Sequence, residues 1–432
     1  MLKDQTLRAW AGKWLAGQNF VLACFIVAVV LRLLVVVVWP VQQTSDSGWY
    51  VSRAEELLAG LGYQEGGHPT AYWPVGWPAI LALAFRVFDS PTVAVVALNL
   101  LGAAAIMAAL LWFSRAVLED ELVGRLSIAA YAVYPGHIAY AGAAATETVY
   151  TAIAMLAFTL LIAKRNSLGW VAATGLAFGV ATLIKPQTVL FPIGAVIAIA
   201  LVYQGWGWRR LALSALVVYV ALLSTVLPWS IRNYVTFDKF VLVSTNGGAA
   251  LLLGASDYTT GDDFSLQRSP LWEKLGIPWE QRVQRQIELG ERMKNLAVQW
   301  IRENPTEYAA WMPKKVVLLW LKDTDGFWTY EASYPESKSV VRGFQYLNQI
   351  YYGVIVLLSA VAAAAALRAW IRTGTAPPTA LLFCMPIFVT LLAAVFTGQI
   401  RYHFPAMPFL VMAAAWTLVG VKPRSTRSAI VN

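Results

Sequence analysis

Two carboxylates stand where so apolar a chain has reason to avoid them. Asp46 lies in "TSDSGWYVSRAEELLAG", directly behind the apolar run "NFVLACFIVAVVLRLLVVVVW", and Glu147 lies in "AYAGAAATETVYTAIAML", among small residues and threonines. A carboxylate within hydrogen-bond reach of an acceptor's proton can serve as a general base. Ionisable groups in or beside membrane segments are costly to desolvate, which makes them candidates for function. Each acid has a plainer alternative. Asp46 or Ser45 could be the N-cap of the helix that follows, and Glu147 could be a helix-start acid favoured by the macrodipole. The cations that could face an anion are Lys185 in "LIKPQ", Arg232 in "PWSIRNY", Arg401 in "GQIRYHFP", and Arg53, a turn or two after Asp46. Their alternative is snorkelling at an interface. Arg32, within the first apolar run, is left unassigned. Tyr72, Trp73 and Trp77 in "AYWPVGWP" could line a lipid's route, although interfacial aromatics are common.

The elements that must position these residues are membrane helices. The chain of 432 residues is 58% hydrophobic and 13% charged, and a spanning helix needs about 20 mostly apolar residues. Apolar runs predict ten spans: Phe20–Trp39, Pro91–Phe113, Leu126–Ala144, Thr148–Ala163, Gly169–Ile184, Thr188–Tyr203, Leu211–Trp229, Leu347–Leu367, Pro378–Thr397 and Tyr402–Val421. The first is longer than a signal-peptide core and lacks a convincing cleavage site, so it reads as a retained helix. An even number of spans puts both termini on one side. That side's short segments hold Lys3, Arg8, Lys13, Arg115, Arg125, Lys164, Arg165, Arg209, Arg210, Arg368, Arg372, Lys422, Arg424 and Arg427. The opposite short loops hold Arg53, Arg86, Lys185 and Arg401. The positive-inside rule makes the first side cytoplasmic. It also explains the net charge of +9 without a nucleic-acid partner.

The segment from Ala71 to Phe88 is apolar but interrupted by Pro74 and Pro78. It reads as a juxtamembrane helix on the outer surface. Between Tyr50 and Leu61 the apolar residues recur at helical spacing, which predicts a second surface-lying helix. Residues 230–346 have soluble composition and read as a small extracytoplasmic insert, with a helix in "EQRVQRQIELGERMKNLAVQWIREN" that Pro305 stops. Cys24 and Cys384 fall in predicted spans and read as small buried hydrophobes. His68, His137 and His403 have no metal-ligand spacing, and neither a metal cluster nor a phosphate-binding glycine loop is present.

In order along the chain come an acid after the first helix with "AEELLAG" behind it, "YWPVGWP", "YPGHIAYAGAAATETVY", "TLIKPQ", "PWSIRNYVTFDKFVLVSTNGGAALLLGAS" and "GQIRYHFPAMPFL". With this set the chain resembles the glycosyltransferase C superfamily, specifically its bacterial members related to protein O-mannosyltransferases and the lipid A aminoarabinose transferase. The resemblance implies an all-α polytopic membrane protein. It implies a catalytic module over 1–229 with an outer loop at 40–90, the insert at 230–346, and C-terminal spans over 347–432. It further implies a plasma-membrane enzyme, the inner membrane in a Gram-negative cell, that inverts configuration. Such an enzyme moves a sugar from a polyprenyl-phosphate donor to a hydroxyl of a lipid, glycan or protein at the extracytoplasmic face. Asp46 occupies the place of the family's presumed base, and Glu147 that of a second acid. Arg401, Arg232, Lys185 and Arg53 are the candidates for the donor phosphate. Many relatives carry Asp-Glu at the first acid, where this chain has Asp46-Ser47. That departure leaves a divalent metal open, and the sequence fixes no cofactor. The competing reading is a non-catalytic lipid or glycan flippase, which needs polar groups through the membrane interior and on both faces.

Overall fold

A computed structural model of the chain describes residues 17–203, 205–262 and 264–420. Lys3, Arg8, Lys13, Lys422, Arg424 and Arg427, used above for sidedness, lie outside these residues. The architecture is all-α and polytopic. Among the described residues six helical stretches are long and apolar enough to cross a membrane: Asn19–Val38, Pro91–Leu118, Trp208–Phe237, Pro335–Thr373, Pro378–Val395 and Ile400–Val419. A seventh is gained if the bent pair Pro135–Gly142 and Glu147–Ala163, which meet at 118°, counts as one span. Leu168–Ile184 and Pro186–Val202 are apolar but shorter, so the count of ten spans is not reproduced. Side chains such as Val37, Leu216, Val235 and Leu357 are at least 60% exposed. In water such surface would be a liability; against lipid it is the expected face.

The helices are named in chain order. Helix α1 is Gln18–Val38, α2 Ser45–Leu58, α3 Gly76–Val87, α4 Pro91–Phe113 and α5 Glu121–Ala132. The predicted span Leu126–Ala144 is the clearest departure. Helix α5 ends at Ala132, and a short helix α6, Pro135–Ala139, and a 3-10 turn, Tyr140–Gly142, follow. The reason is Pro135, which lacks an N–H and pushes the preceding residue away from helical geometry. Helix α7, Glu147–Ala163, leaves this re-entrant bend, and α8, Leu168–Ile184, packs on α7 and on α10, Trp208–Phe237. Gly175 and Gly179 sit on the α8 face against Val218, Leu222 and Thr225, where small residues let backbones approach. Helix α9, Phe191–Val202, lies between them in the chain.

Helix α3 has 12 residues, about 18 Å at 1.5 Å per residue, too short to cross. Its Trp77 is 1% exposed, so it is a core residue rather than an interfacial one. In α2 the inward face holds Ser47, Tyr50, Arg53 and Ala54, whereas Leu58, at its end, and Leu61, beyond it, are exposed. Between α2 and α3 a two-residue turn, Gly66–Gly67, joins strands Gln64–Glu65 and His68–Pro69. Both glycines have positive φ, as such a hairpin turn requires.

Beyond α10, helices α11 (Gly247–Gly254), α12 (Pro270–Leu275) and α13 (Gln286–Glu303) enclose a small separate core of Leu252, Leu271, Leu275, Leu289, Met293 and Trp300. The predicted helix in this region is thus shorter at its start, and after Asn304 the chain resumes at once as α14, Pro305–Leu321. This cap grips the hairpin. The Gln286 amide donates to Pro69 O at 3.0 Å and accepts from Ala71 N at 2.8 Å, and Arg282 pairs with Glu65. The chain closes with α15 (Trp328–Ser333), α16 (Lys338–Thr373), α17 (Cys384–Val395) and α18 (Met407–Val419). Cys24 and Cys384 are unpaired.

Candidate active site

One helix C-terminus and three helix starts converge on one pocket of about 90 Å³. Asp46 lies in the first turn of α2, Lys185 at the C-cap of α8, Glu147 at the first residue of α7, and Arg401 at the start of the last candidate span. All four line the pocket.

Asp46 does not act as a cap. Thr44 is the N-cap of α2, with no side-chain capping bond. The Asp46 carboxylate turns away to Arg401, 355 residues on, whose Nη1 donates to Oδ2 at 2.7 Å. The side chains are 27% and 23% exposed, so the pair sits at the pocket wall and not in the deep core. Arg401 Nε donates to Gln399 Oε1 at 3.0 Å, which orients the guanidinium. Beside Asp46, the Ser47 hydroxyl is buried and has no partner among the described residues.

Glu147 is 4% exposed and forms a second ion pair, with Lys185 Nζ at 3.0 Å. The loop that delivers it is held by three side chains from separate elements. Asn99 of α4 donates to the carbonyls of Tyr140, Ala141 and Ala143. Gln43 donates to Gly142 O and accepts from Ala144 N, both at 2.8 Å, and Trp77 Nε1 donates to Ala144 O at 2.9 Å. A buried carboxylate so delivered is not a solvated helix-start acid.

Sequence reading missed a third acid. Asp325, in the link between α14 and α15, lines the pocket and accepts from Tyr140 Oη at 2.7 Å. Burial raises its carboxyl above the usual range, against the opposing pull of Arg401. Its neighbour Asp323 is tied into the fold. It accepts from Tyr134 Oη at 2.6 Å and from the Asn348 amide, and faces His403 Nε2 at 3.1 Å. His403 Nδ1 faces Leu319 O at 2.7 Å, so both ring nitrogens meet oxygen acceptors. Burial works to raise Asp323, but the His403 and Tyr134 bonds outweigh it and hold the carboxyl at about 2. This network locks the link carrying Asp325 to the segment carrying Arg401. Asn246, within "STNGG", is a further lining residue that was not singled out. Neither acid has a spacing relation to Asp46 or Glu147 in the sequence; only the "STNGG" motif hinted at Asn246.

The other candidates are placed differently. Arg232 is outside the pocket lining, and its two terminal nitrogens donate to Tyr63 O and Thr70 O at 2.9 Å each, bracing the hairpin. Arg53 is also outside it, forked onto Glu56 at 2.7 and 2.8 Å and lying over the Trp49 ring. Trp73 lines the pocket, Tyr72 packs edge-on against Trp73, and Trp77 lies beneath, holding the loop. Arg32 faces the bundle, donating to Ala28 O and Ala132 O. Among the described residues no three His, Cys, Asp or Glu side chains come together so as to hold a metal ion. The arrangement offers alternating acids and cations, suited to drawing a proton from one group while steadying negative charge on another.

Residues 72–230 match the family model described as dolichyl-phosphate-mannose-protein mannosyltransferase. The archaeal oligosaccharyltransferase AglB from Archaeoglobus fulgidus, solved with an inhibitory peptide and a dolichol-phosphate, is similar over 94% of this chain, with a TM-score of 0.51 and 13% identity. The chain spans 50% of that protein's length. ArnT from Cupriavidus metallidurans, in the apo state, aligns over 95% of this chain and 78% of its own, with a TM-score of 0.40 and 16% identity. No curated protein matches the chain in sequence. At such identities the likeness to AglB is one of fold. The matched segment and the ordered motifs both support the resemblance to the glycosyltransferase C superfamily.

Proposed function

We propose that the protein is an integral-membrane, inverting glycosyltransferase that moves a sugar from a polyprenyl-phosphate donor to an acceptor hydroxyl at the extracytoplasmic face. The observation that carries this reading is the pairing of Asp46 with Arg401 beside the Glu147–Lys185 pair, in one pocket at the ends of membrane helices. Asp46 takes the proton of the acceptor hydroxyl as its oxygen bonds to the anomeric carbon from the face opposite the phosphate. The bond from that carbon to the phosphate oxygen breaks, and its electron pair leaves with the phosphate. Arg401 and Lys185 steady the charge that develops there, the term that usually dominates such catalysis. Glu147 orients Lys185, and Trp73 and Tyr72 form the mouth. Arg232 and Arg53 act through the hairpin and α2 and not on the phosphate. In this reading residues 1–229 supply the base and Lys185, 230–346 the cap and Asp325, and 347–432 supply Arg401. The protein resides in the plasma membrane with both termini cytoplasmic.

The test is transfer in vitro. Purified protein in phospholipid vesicles is given a panel of labelled undecaprenyl-phosphate sugars, and the anomeric configuration of any product is read by NMR. Transfer with inversion from at least one donor supports the reading. Retention, or equilibration of the intact donor across the bilayer without transfer, would favour a different mechanism or a flippase.

A further inference from the structure

The cap formed by α11–α13 contributes to the acidic pocket itself. Asn246, the N-cap residue of α11, lines the pocket together with Trp73 and Pro74. Its side chain makes no capping bond. Instead its Oδ1 accepts from Ser244 Oγ at 2.7 Å, and among the described residues its Nδ2 has no partner. Binding pockets use a few fixed polar groups of this kind to orient a ligand.

One face of α13 sets where Asn246 and Trp73 stand. Gln286 and Gly290 are four residues apart and so share that face. Gln286 is 2% exposed and, through Pro69 O and Ala71 N, fixes the segment that runs into Trp73 and Pro74. Gly290 lies against the backbone that delivers Asn246, where an added Cβ would stand 2.9 Å from Thr245 O. Thr245 N in turn donates to Ala71 O at 2.9 Å, which joins the two segments. Both pocket residues therefore take their positions from a single helix of the cap.

The sugar to be moved is bonded directly to the phosphate assigned to Arg401 and Lys185, and both cations line this same small pocket. The other groups of the lining are thus within the sugar's reach. Asp46, Glu147 and Asp325 offer it carboxyl groups, and Asn246 offers a neutral N–H. A site built to hydrogen-bond a hydroxyl rejects the analogue that lacks it. We propose that Asn246 is a specificity-determining residue whose Nδ2 donates to one hydroxyl of the lipid-linked sugar, and that Gln286 and Gly290 are positioning residues that hold it in register with Trp73. This rests on the glycosyl-transfer reading above.

Competition binding tests this without an acceptor. Protein in vesicles of phosphatidylethanolamine and phosphatidylglycerol is loaded with labelled undecaprenyl phosphate. The label is then displaced by unlabelled undecaprenyl phosphate or by a panel of undecaprenyl-phosphate sugars. The ratio of the two affinities reads the sugar's own contribution, and the best sugar is compared with its monodeoxy analogues. Asn246→Ala removes no capping bond from α11 and should bind sugar-free undecaprenyl phosphate as before. Its ratio for the best sugar should fall by about five- to tenfold, the worth of one neutral hydrogen bond. One monodeoxy analogue should lose that same factor with the wild-type protein and nothing further with Asn246→Ala. Gly290→Ala, whose methyl presses on Thr245 O, should lose part of the ratio in the same way. An unchanged ratio in Asn246→Ala overturns the assignment, as does an equal loss for every deoxy analogue. Slower transfer at an unchanged ratio also overturns it and turns Asn246 towards the acceptor. An unchanged ratio in Gly290→Ala overturns the positioning role of α13. If wild-type protein binds undecaprenyl phosphate but gains nothing from any sugar, the subsite fails; if it binds neither form, the transfer reading itself is what fails.

Discussion

Replacing Asp46 by Asn separates catalysis from stability more cleanly than any other change. Asn is close to Asp in size, and its Oδ1 can still accept from Arg401 Nη1, which now donates to Asp46 Oδ2 at 2.7 Å. Helix α2 loses nothing at its start, because Thr44 is its N-cap and no side chain makes a capping bond there. Arg401 keeps its bond to Gln399, so no cation is stranded. The ion pair is about a quarter exposed on each side, and the bond that takes its place keeps a charged donor, a contact of about 1.5–3 kcal/mol. A general base, by contrast, contributes about 10²–10⁴-fold to rate, or about 2.7–5.5 kcal/mol of barrier. The expected variant therefore melts close to wild type, still binds undecaprenyl phosphate, and transfers sugar at least about a hundredfold more slowly. Initial rates with a labelled donor, alongside thermal unfolding and lipid binding on the same preparation, read all three quantities. Wild-type turnover by a well-folded Asp46→Asn protein refutes the assignment of the base and the main ground for calling the chain an enzyme.

Arg401→Ala should lower transfer at limiting donor by about ten- to a hundredfold, the worth of a charge-assisted contact of about 1.5–3 kcal/mol. Arg401→Lys should lose less, because lysine keeps the charge but not the fork that spans Asp46 and Gln399; the ratio of the two rates at low donor checks this. Asp323→Ala leaves Tyr134 Oη and His403 Nε2 without their partner in the interior and should destabilise the protein by about 3–5 kcal/mol, read by thermal or denaturant unfolding. The pH dependence has a definite sign. The folded Asp323 carboxyl, at about 2, lies below its unfolded value of about 4. Its contribution is therefore complete above about pH 4 and is lost as pH falls towards 2, a loss that the Ala variant should not show. For topology, after removal of Cys24 and Cys384, a cysteine at the exposed cap position Glu280 should label with a membrane-impermeant reagent in intact cells. One at the exposed position Thr373, the far end of α16, should not.

The membrane class, most helix positions and the residues of both ion pairs were legible in the sequence. Hydropathy is local and additive, so a run such as that over α1 declares its solvent without knowledge of its neighbours. Proline made the α5–α6 break readable in principle, yet apolar content carried the expectation of one continuous span through Pro135. What the sequence could not say is which polar groups are already satisfied. Arg232 and Arg401 look alike as basic residues beside membrane segments. Backbone carbonyls of the hairpin occupy one, and the other reaches an acid 355 residues away. Gln43, Asn99 and Trp77 gained their roles by meeting a single loop from three directions, and Asp325 by the Asp323–His403 network that holds its link in place. Burial of a charge is decided by every element packed around it, and its cost is met only by partners that the chain brings together on folding. Sequence alone thus determined that this is a membrane protein with acids and cations at helix ends; the tertiary structure decided which of them face one another.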